Sequence, residues 1–166
     1  MKYVLLVRHA KSSWDAADTS DFDRTLNERG KKDAPEMAHR LQKRHVAIDA
    51  FVSSPAKRAK KTAELFASTL GADKKDILYI DKLYHAAAPV FFDTIAGMAD
   101  SIQCMAIFAH NPGITDFVNM LTSVRTDNMP TCAVFAVTAN ISSWKEFEKA
   151  KKEFWFFDYP KAGEML

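Results

Sequence analysis

The chain reads as an α/β protein, a three-layer α/β/α sandwich around a mostly parallel central sheet. Three observations predict this. Short, almost continuously apolar runs alternate with longer segments of helical period. Those runs lack the in-and-out alternation of a sheet with one wet face. Finally, 166 residues with 48% hydrophobic and 27% charged content suit one domain spanning residues 1–166. A chain of this size buries roughly 70% of its unfolded surface, so its core needs no disulfide or metal staple.

The elements follow in order. Tyr3–Val7 is the first strand, and Ala50–Val52 and Met105–Ala109 repeat its composition. Strands buried on both faces look like this, as in a parallel sheet covered by helices. Ile77–Ile80 and Ala133–Val137 are further strands, and Phe154–Phe157 is expected at an edge. Thr25-x-x-Glu28 has the form of a capping box, followed by Ala34, Met37, Ala38 and Leu41 on one helical face. Pro35 inside that stretch predicts a kink or a late start. Ala59, Ala63, Phe66 and Leu70 mark a second helix, Phe91–Met98 a third and Ile114–Leu121 a fourth. Ser143-x-x-Glu146 caps a short fifth. No internal repeat, low-complexity tract or long linker divides the chain.

Composition narrows the function. Lys plus Arg is 23 against 21 Asp plus Glu, a formal +2, which gives no basis for a nucleic-acid partner. Cys104 and Cys132 sit in apolar runs without a CxxC pair or zinc spacing, and are expected to be buried thiols. The apolar run before Arg8 is too short for a signal-peptide core, and nowhere do about 18 apolar residues run together. A soluble, cytoplasmic protein without a membrane partner is expected. Lys57, Lys60 and Lys61 read as a solvated helix face, and His39 and His45 lack catalytic context. Asp15, Asp18, Asp21 and Asp23 form an acidic loop without calcium spacing. Asp23-Arg24 is expected to pin that loop near the site.

The chemistry lies at three strand ends. The first strand finishes in Arg8-His9. The second finishes in Ser53-Ser54-Pro55, with Arg58 in the first turn of the helix that follows. The Met105–Ala109 strand finishes in His110-Asn111-Pro112-Gly113. Ligands of open α/β sheets bind outside the carboxyl ends of the strands, so neighbouring strands would gather two arginines and two histidines around one pocket. Two guanidinium forks suit the oxygens of a phosphate dianion. The helix after Ser54 adds backbone N–H groups and its positive end. A cation such as Arg58 near that end is disfavoured unless an anion joins it. One neutral imidazole can attack phosphorus while another stabilises the growing charge. Phosphoryl transfer needs mostly positioning and charge neutralisation, which this set supplies without a metal or cofactor.

LVRHAKS, Asp23-x-x-Leu26-x-x-x-Gly30, SSPAKRAKKTA and AHNPG together resemble the histidine phosphatase superfamily, with its phosphoglycerate mutase-like fold. The short chain looks like the compact branch that contains phosphohistidine phosphatases, and the resemblance runs from Tyr3 to at least Val137. It implies His9 as nucleophile and Arg8, Arg58 and His110 as phosphate-pocket residues. Asp81 in IDKLYHA is the nearest match to the family's leaving-group acid. Ala10 stands where the commonest family motif has glycine. Ser12, His85 and Asn111 complete the expected substrate contacts.

The implied activity is a metal-independent phosphatase hydrolysing phosphohistidine or small phosphate monoesters through a phosphohistidine on His9. Only about 20 residues separate Leu83 from Met105, enough for one helix and no lid. The site should therefore be shallow and open, admitting a phosphorylated protein or a small phosphorylated substrate. Should Asp81 fall outside the pocket, phosphohistidine and aryl phosphates become the favoured substrates, since they depend less on an enzyme acid. Two alternatives stay open. A phosphomutase would use the same pocket but must shield its intermediate from water, which the missing lid disfavours. A non-catalytic phospho-protein binding module would keep the arginines without turnover.

Overall fold

A computed structural model describes residues 1–14 and 19–165, with side chains through residue 162. Asp15 and Asp18 of the acidic loop lie outside the described residues. The chain forms β1 (Lys2–Arg8), α1 (Glu28–Lys43), β2 (Ala50–Ser53), α2 (Lys57–Thr69), β3 (Leu78–Tyr79), α3 (Ala88–Ala96), β4 (Cys104–Ala109), α4 (Gly113–Val118), β5 (Val134–Ala139) and β6 (Lys152–Asp158). The strands make one mixed sheet in the order β3-β2-β4-β1-β5-β6.

The first four strands in that order pair in parallel, and β5 and β6 add antiparallel pairings. Side chains alternate between the two faces of a strand, and both faces are covered here. Leu5 and Val7 of β1 and Phe108 of β4 pack with Met37 and Leu41 of α1 and Phe66 of α2. Val4, Leu6 and Ile107 point the other way, towards Phe91 and Ile95 of α3 and Phe117 of α4. The apolar runs are continuous because neither face meets water. Phe66, edge-on to Phe108 at 5.2 Å, is fully buried, and truncating such a ring to alanine costs about 3–5 kcal/mol.

Four local expectations are corrected. Asn27, not Thr25, caps α1, its side chain accepting from the Gly30 N–H at 2.9 Å, while the Thr25 carbonyl accepts from Ser13 N. Asparagine is as good a cap as threonine and lies one residue before the first helical turn. The helix begins at Glu28 and runs through Pro35, because its buried stripe of Ala34, Met37, Ala38 and Leu41 outweighs one lost backbone bond. The third helix starts at Ala88, with Pro89 in its first turn, where a missing N–H costs nothing. Ser143 caps a single 3-10 turn, Trp144–Glu146, rather than an α-helix.

Cys104 and Cys132 are free and buried. Burial pushes the Cys104 thiol up to about 12 and raises Cys132 as well, so both stay protonated and inert. Among the described residues no helix is long and apolar enough to cross a membrane.

Candidate active site

Sheet order sets the site. β2, β4 and β1 are adjacent and parallel, so their carboxyl ends share one edge. Backbone bonds stitch that edge together: Ser54 N donates to Phe108 O at 3.0 Å, and His9 N to Ala109 O at 3.1 Å. Arg8, His9, Arg58 and His110 therefore meet at one open cavity of about 410 Å³. Ser12, His85 and Asn111 also line it. Asp81 does not; it is exposed at the start of a separate 3-10 turn, Asp81–Leu83.

The two histidines are held differently. His9 Nδ1 lies 2.8 Å from the Ala10 carbonyl oxygen, which can only accept. The proton therefore sits on Nδ1, and Nε2 keeps its lone pair. Burial lowers the His9 pKa to about 3; the bond to Ala10 opposes the shift, and the positive charges of Arg58 and Arg8 reinforce it. Burial likewise lowers His110 to about 3, helped by neighbouring His9 and Arg58. His110 Nε2 is 2.7 Å from Ser54 Oγ, and the rings of His9 and His110 are 5.3 Å apart. Both imidazoles are neutral near pH 7.

The arginines are oriented by the protein yet remain short of acceptors. Arg8 Nη1 donates to Met129 O at 2.8 Å, and burial, with the nearby Arg58 charge, lowers its pKa. Three buried nitrogens at this site, Arg8 Nε, Arg58 Nε and His110 Nδ1, have no hydrogen-bond partner. Native proteins rarely leave such groups unpaired. A pocket with that deficit and a surplus of positive charge is built to receive an anion.

Sequence reasoning missed the anion already there. Asp21 Oδ2 accepts from Arg58 Nη2 at 3.0 Å and from the Tyr84 hydroxyl at 2.7 Å, while Oδ1 accepts from Arg24 Nη1 at 2.9 Å. Arg58 Nη1 also donates to the Asp21 carbonyl at 2.6 Å. Partial burial opposes ionisation of Asp21, but the bonds from Tyr84 and Arg58 outweigh it and hold the carboxyl below the usual carboxylate range. Asp21 thus supplies the counter-charge that Arg58 needs at the N-terminal turn of α2. The expectation that Asp23-Arg24 pins this loop holds for one member of the pair: Arg24 donates to Asp21, Ser12 and the Ser13 carbonyl at the site, while Asp23 lies 3.7 Å from Lys57.

Two glycines and a threonine set the loops. A β-carbon on Gly30 would overlap the Lys11 carbonyl, so only glycine lets α1 press against the strand that has just left His9. A β-carbon on Gly113 would overlap the Ala86 carbonyl, and this close approach seats the loop that carries His85, whose φ is 59°. Thr62 accepts from Ala10 N at 2.9 Å and donates to Arg58 O at 2.7 Å, joining the loop after His9 to α2. Ala10 has no positive φ, so its methyl group causes no strain where the family often has glycine. Asn111 lines the cavity, but its amide is engaged: it donates to Asn128 and Met129 O and accepts from Thr115. That makes it a brace for the loop holding Arg8.

The fold and site define a phosphoglycerate mutase-like α/β protein with an anion pocket at the carboxyl edge of its sheet. Residues 4–83 match the model of the histidine phosphatase superfamily, branch 1. A structure titled as a candidate phosphohistidine phosphatase SixA from Agrobacterium tumefaciens is 26% identical, covering 96% of this chain and 98% of its own, with a TM-score of 0.80. The protein histidine phosphatase SixA complexed with tungstate shares the fold at 22% identity and TM-score 0.80, covering 95% and 97%. Phosphoserine phosphatase 1 of Hydrogenobacter thermophilus is 42% identical over 65 residues, 38% of this chain and 30% of that protein. The family match over residues 4–83 and the shared fold together support a phosphatase.

Proposed function

We propose that the protein is a single-domain phosphatase that works through a phosphohistidine intermediate on His9. The observation that carries this is the His9 tautomer: Nδ1 donates to Ala10 O, leaving Nε2 bare beside two guanidiniums. Arg8 and Arg58 hold the phosphoryl oxygens, and His110 donates to the oxygen whose charge grows. The Nε2 lone pair forms a bond to phosphorus as the bond to the leaving group breaks; water then cleaves the N–P bond, restoring His9 and releasing phosphate. Charge neutralisation comes from these side chains, so a chelator leaves the rate unchanged.

The substrate class follows from what could protonate the leaving group. Asp81 lies outside the cavity lining, and Asp21, the carboxylate that does line it among the described residues, is held ionised by Tyr84 and Arg58. An acid of such low pKa donates poorly at neutral pH. Phosphohistidine and aryl phosphates, which leave readily, are the substrates this arrangement favours, and the open rim admits a phosphorylated protein side chain. Rapid mixing with a phosphorus-labelled aryl phosphate, quenched in alkaline detergent, tests the proposal. A protein-bound label that is acid-labile and base-stable, and absent from His9→Ala, supports it; turnover that survives in His9→Ala sinks it.

A further inference from the structure

Beside the phosphate pocket lies a second cavity of about 210 Å³, whose lining shares Lys11 and Thr131 with the first. The two therefore adjoin across Lys11 and Thr131. Arg29 and Asp33 of α1 form one wall and the turn around Tyr159–Lys161 another. The charge there is unbalanced. Arg29 and Asp33 pair with each other at 3.1 Å, which cancels the carboxylate. Lys11 and Lys161 remain, exposed and without an ion-pair partner among the described residues.

Both lysines stand on braced backbone. Lys11 is fixed where Gly30 presses against its carbonyl, and Asn27 N donates to that same oxygen at 3.0 Å. The other wall is clamped by Arg40, which donates to Tyr159 O and Pro160 O at 2.9 Å and to the Asp158 carboxylate at 3.2 Å. A braced concavity with two unpaired cations, adjoining a phosphate pocket, is suited to a second negative charge on the same molecule.

We propose that this cavity is a subsite for a further anionic group, a carboxylate or a second phosphate, carried by the substrate whose phosphoryl group faces His9. The inference rests on the phosphatase function proposed above. Partly exposed lysines contribute modestly, so the preference for a doubly anionic substrate is about three- to tenfold in kcat/KM, expressed mainly in KM.

The test compares phenyl phosphate with its carboxyphenyl phosphate isomers, and phosphohistidine peptides carrying a neighbouring glutamate with those carrying glutamine. Each is assayed on the parent, Lys161→Ala and Lys161→Glu at low and high salt. Expected are a preference for the acidic member of a pair, its reduction in Lys161→Ala, where Lys11 remains, its loss in Lys161→Glu, where the two charges cancel, and its decline with salt. At each salt concentration phenyl phosphate turnover is the same in the three proteins, because Lys161 does not line the phosphate pocket. A preference confined to the aryl pairs assigns the anion to small substrates, and one confined to the peptides assigns it to a protein. Turnover without preference, or a preference that survives both Lys161 variants, overturns the inference alone. Loss of turnover on every substrate overturns the phosphatase function and the subsite together.

Discussion

The two adjoining cavities hold positive charge in opposite ways. In the phosphate pocket Arg58 is 5% exposed and His9 and His110 are each 6% exposed, and three nitrogens there lack partners. In the flanking cavity Lys11, Lys161 and Arg29 all reach solvent, and Arg29 is already paired. Burial and neighbouring groups fix the first set in place, whereas water screens the second. Charge fixed in an oriented frame stabilises a transition state, whereas hydrated charge mostly selects which molecule arrives. Substitutions in the two cavities should differ accordingly, in size and in the kinetic constant they change.

The largest effect belongs to His9→Ala, which removes the proposed nucleophile: kcat on an aryl phosphate should fall by at least about 10³-fold, measured by steady-state release of phosphate. Arg58→Ala comes next, with a loss of about 10²–10³-fold in kcat/KM. Arg58→Lys should recover little of it, because an ammonium cannot reproduce the two-pronged contact. If Arg58→Lys restores full activity, the contrast between oriented and merely positive charge collapses.

A third prediction concerns stability. His9 and His110 titrate near 3 in the folded chain against an ordinary value of 6.5, so the unfolded chain binds more protons between those limits. Stability from these neutral histidines is complete above about 6.5 and is lost as pH falls towards 3. Urea midpoints should drop between pH 7 and pH 4.5, and less steeply in a His9→Ala chain, which no longer carries one of the buried groups. Gly113→Ala is smaller again: its methyl group must displace the Ala86 carbonyl, costing about 1–3 kcal/mol and moving His85. A several-fold rise in KM with little change in kcat would mark His85 as a rim contact.

Legibility from sequence followed the range of the interactions. The strand ends could be read because Arg8-His9, Ser53-Ser54 and His110 each adjoin an apolar run, and runs buried on both faces announce a parallel sheet. The partner of Arg58 could not be read: Asp21 lies 37 residues away, and no local period links the two. Thr62 sits four residues beyond Arg58, a spacing that places both on one helix face, so its bond to the Arg58 carbonyl was within reach of pattern reasoning. Asp81 erred the other way. It was near in sequence to Tyr84 and His85, but the 3-10 turn at Asp81–Leu83 leaves it outside while those two rings, tilted at 35°, lie 3.9 Å apart beside the pocket. Pro35 shows tertiary burial overriding a local breaker, and Asn27 shows how two adjacent capping residues compete for one helix start.

Asp21 has a consequence for traffic through the pocket. Because its carboxylate is tethered against Arg58, an incoming phosphate in the proposed reaction would exchange with a resident competitor instead of filling a vacant seat. That competition would weaken the hold on substrate and on inorganic phosphate alike, without touching contacts made only during transfer. In the proposed cycle Asp21 would return as product leaves, so that no trapped dianion slows the reset.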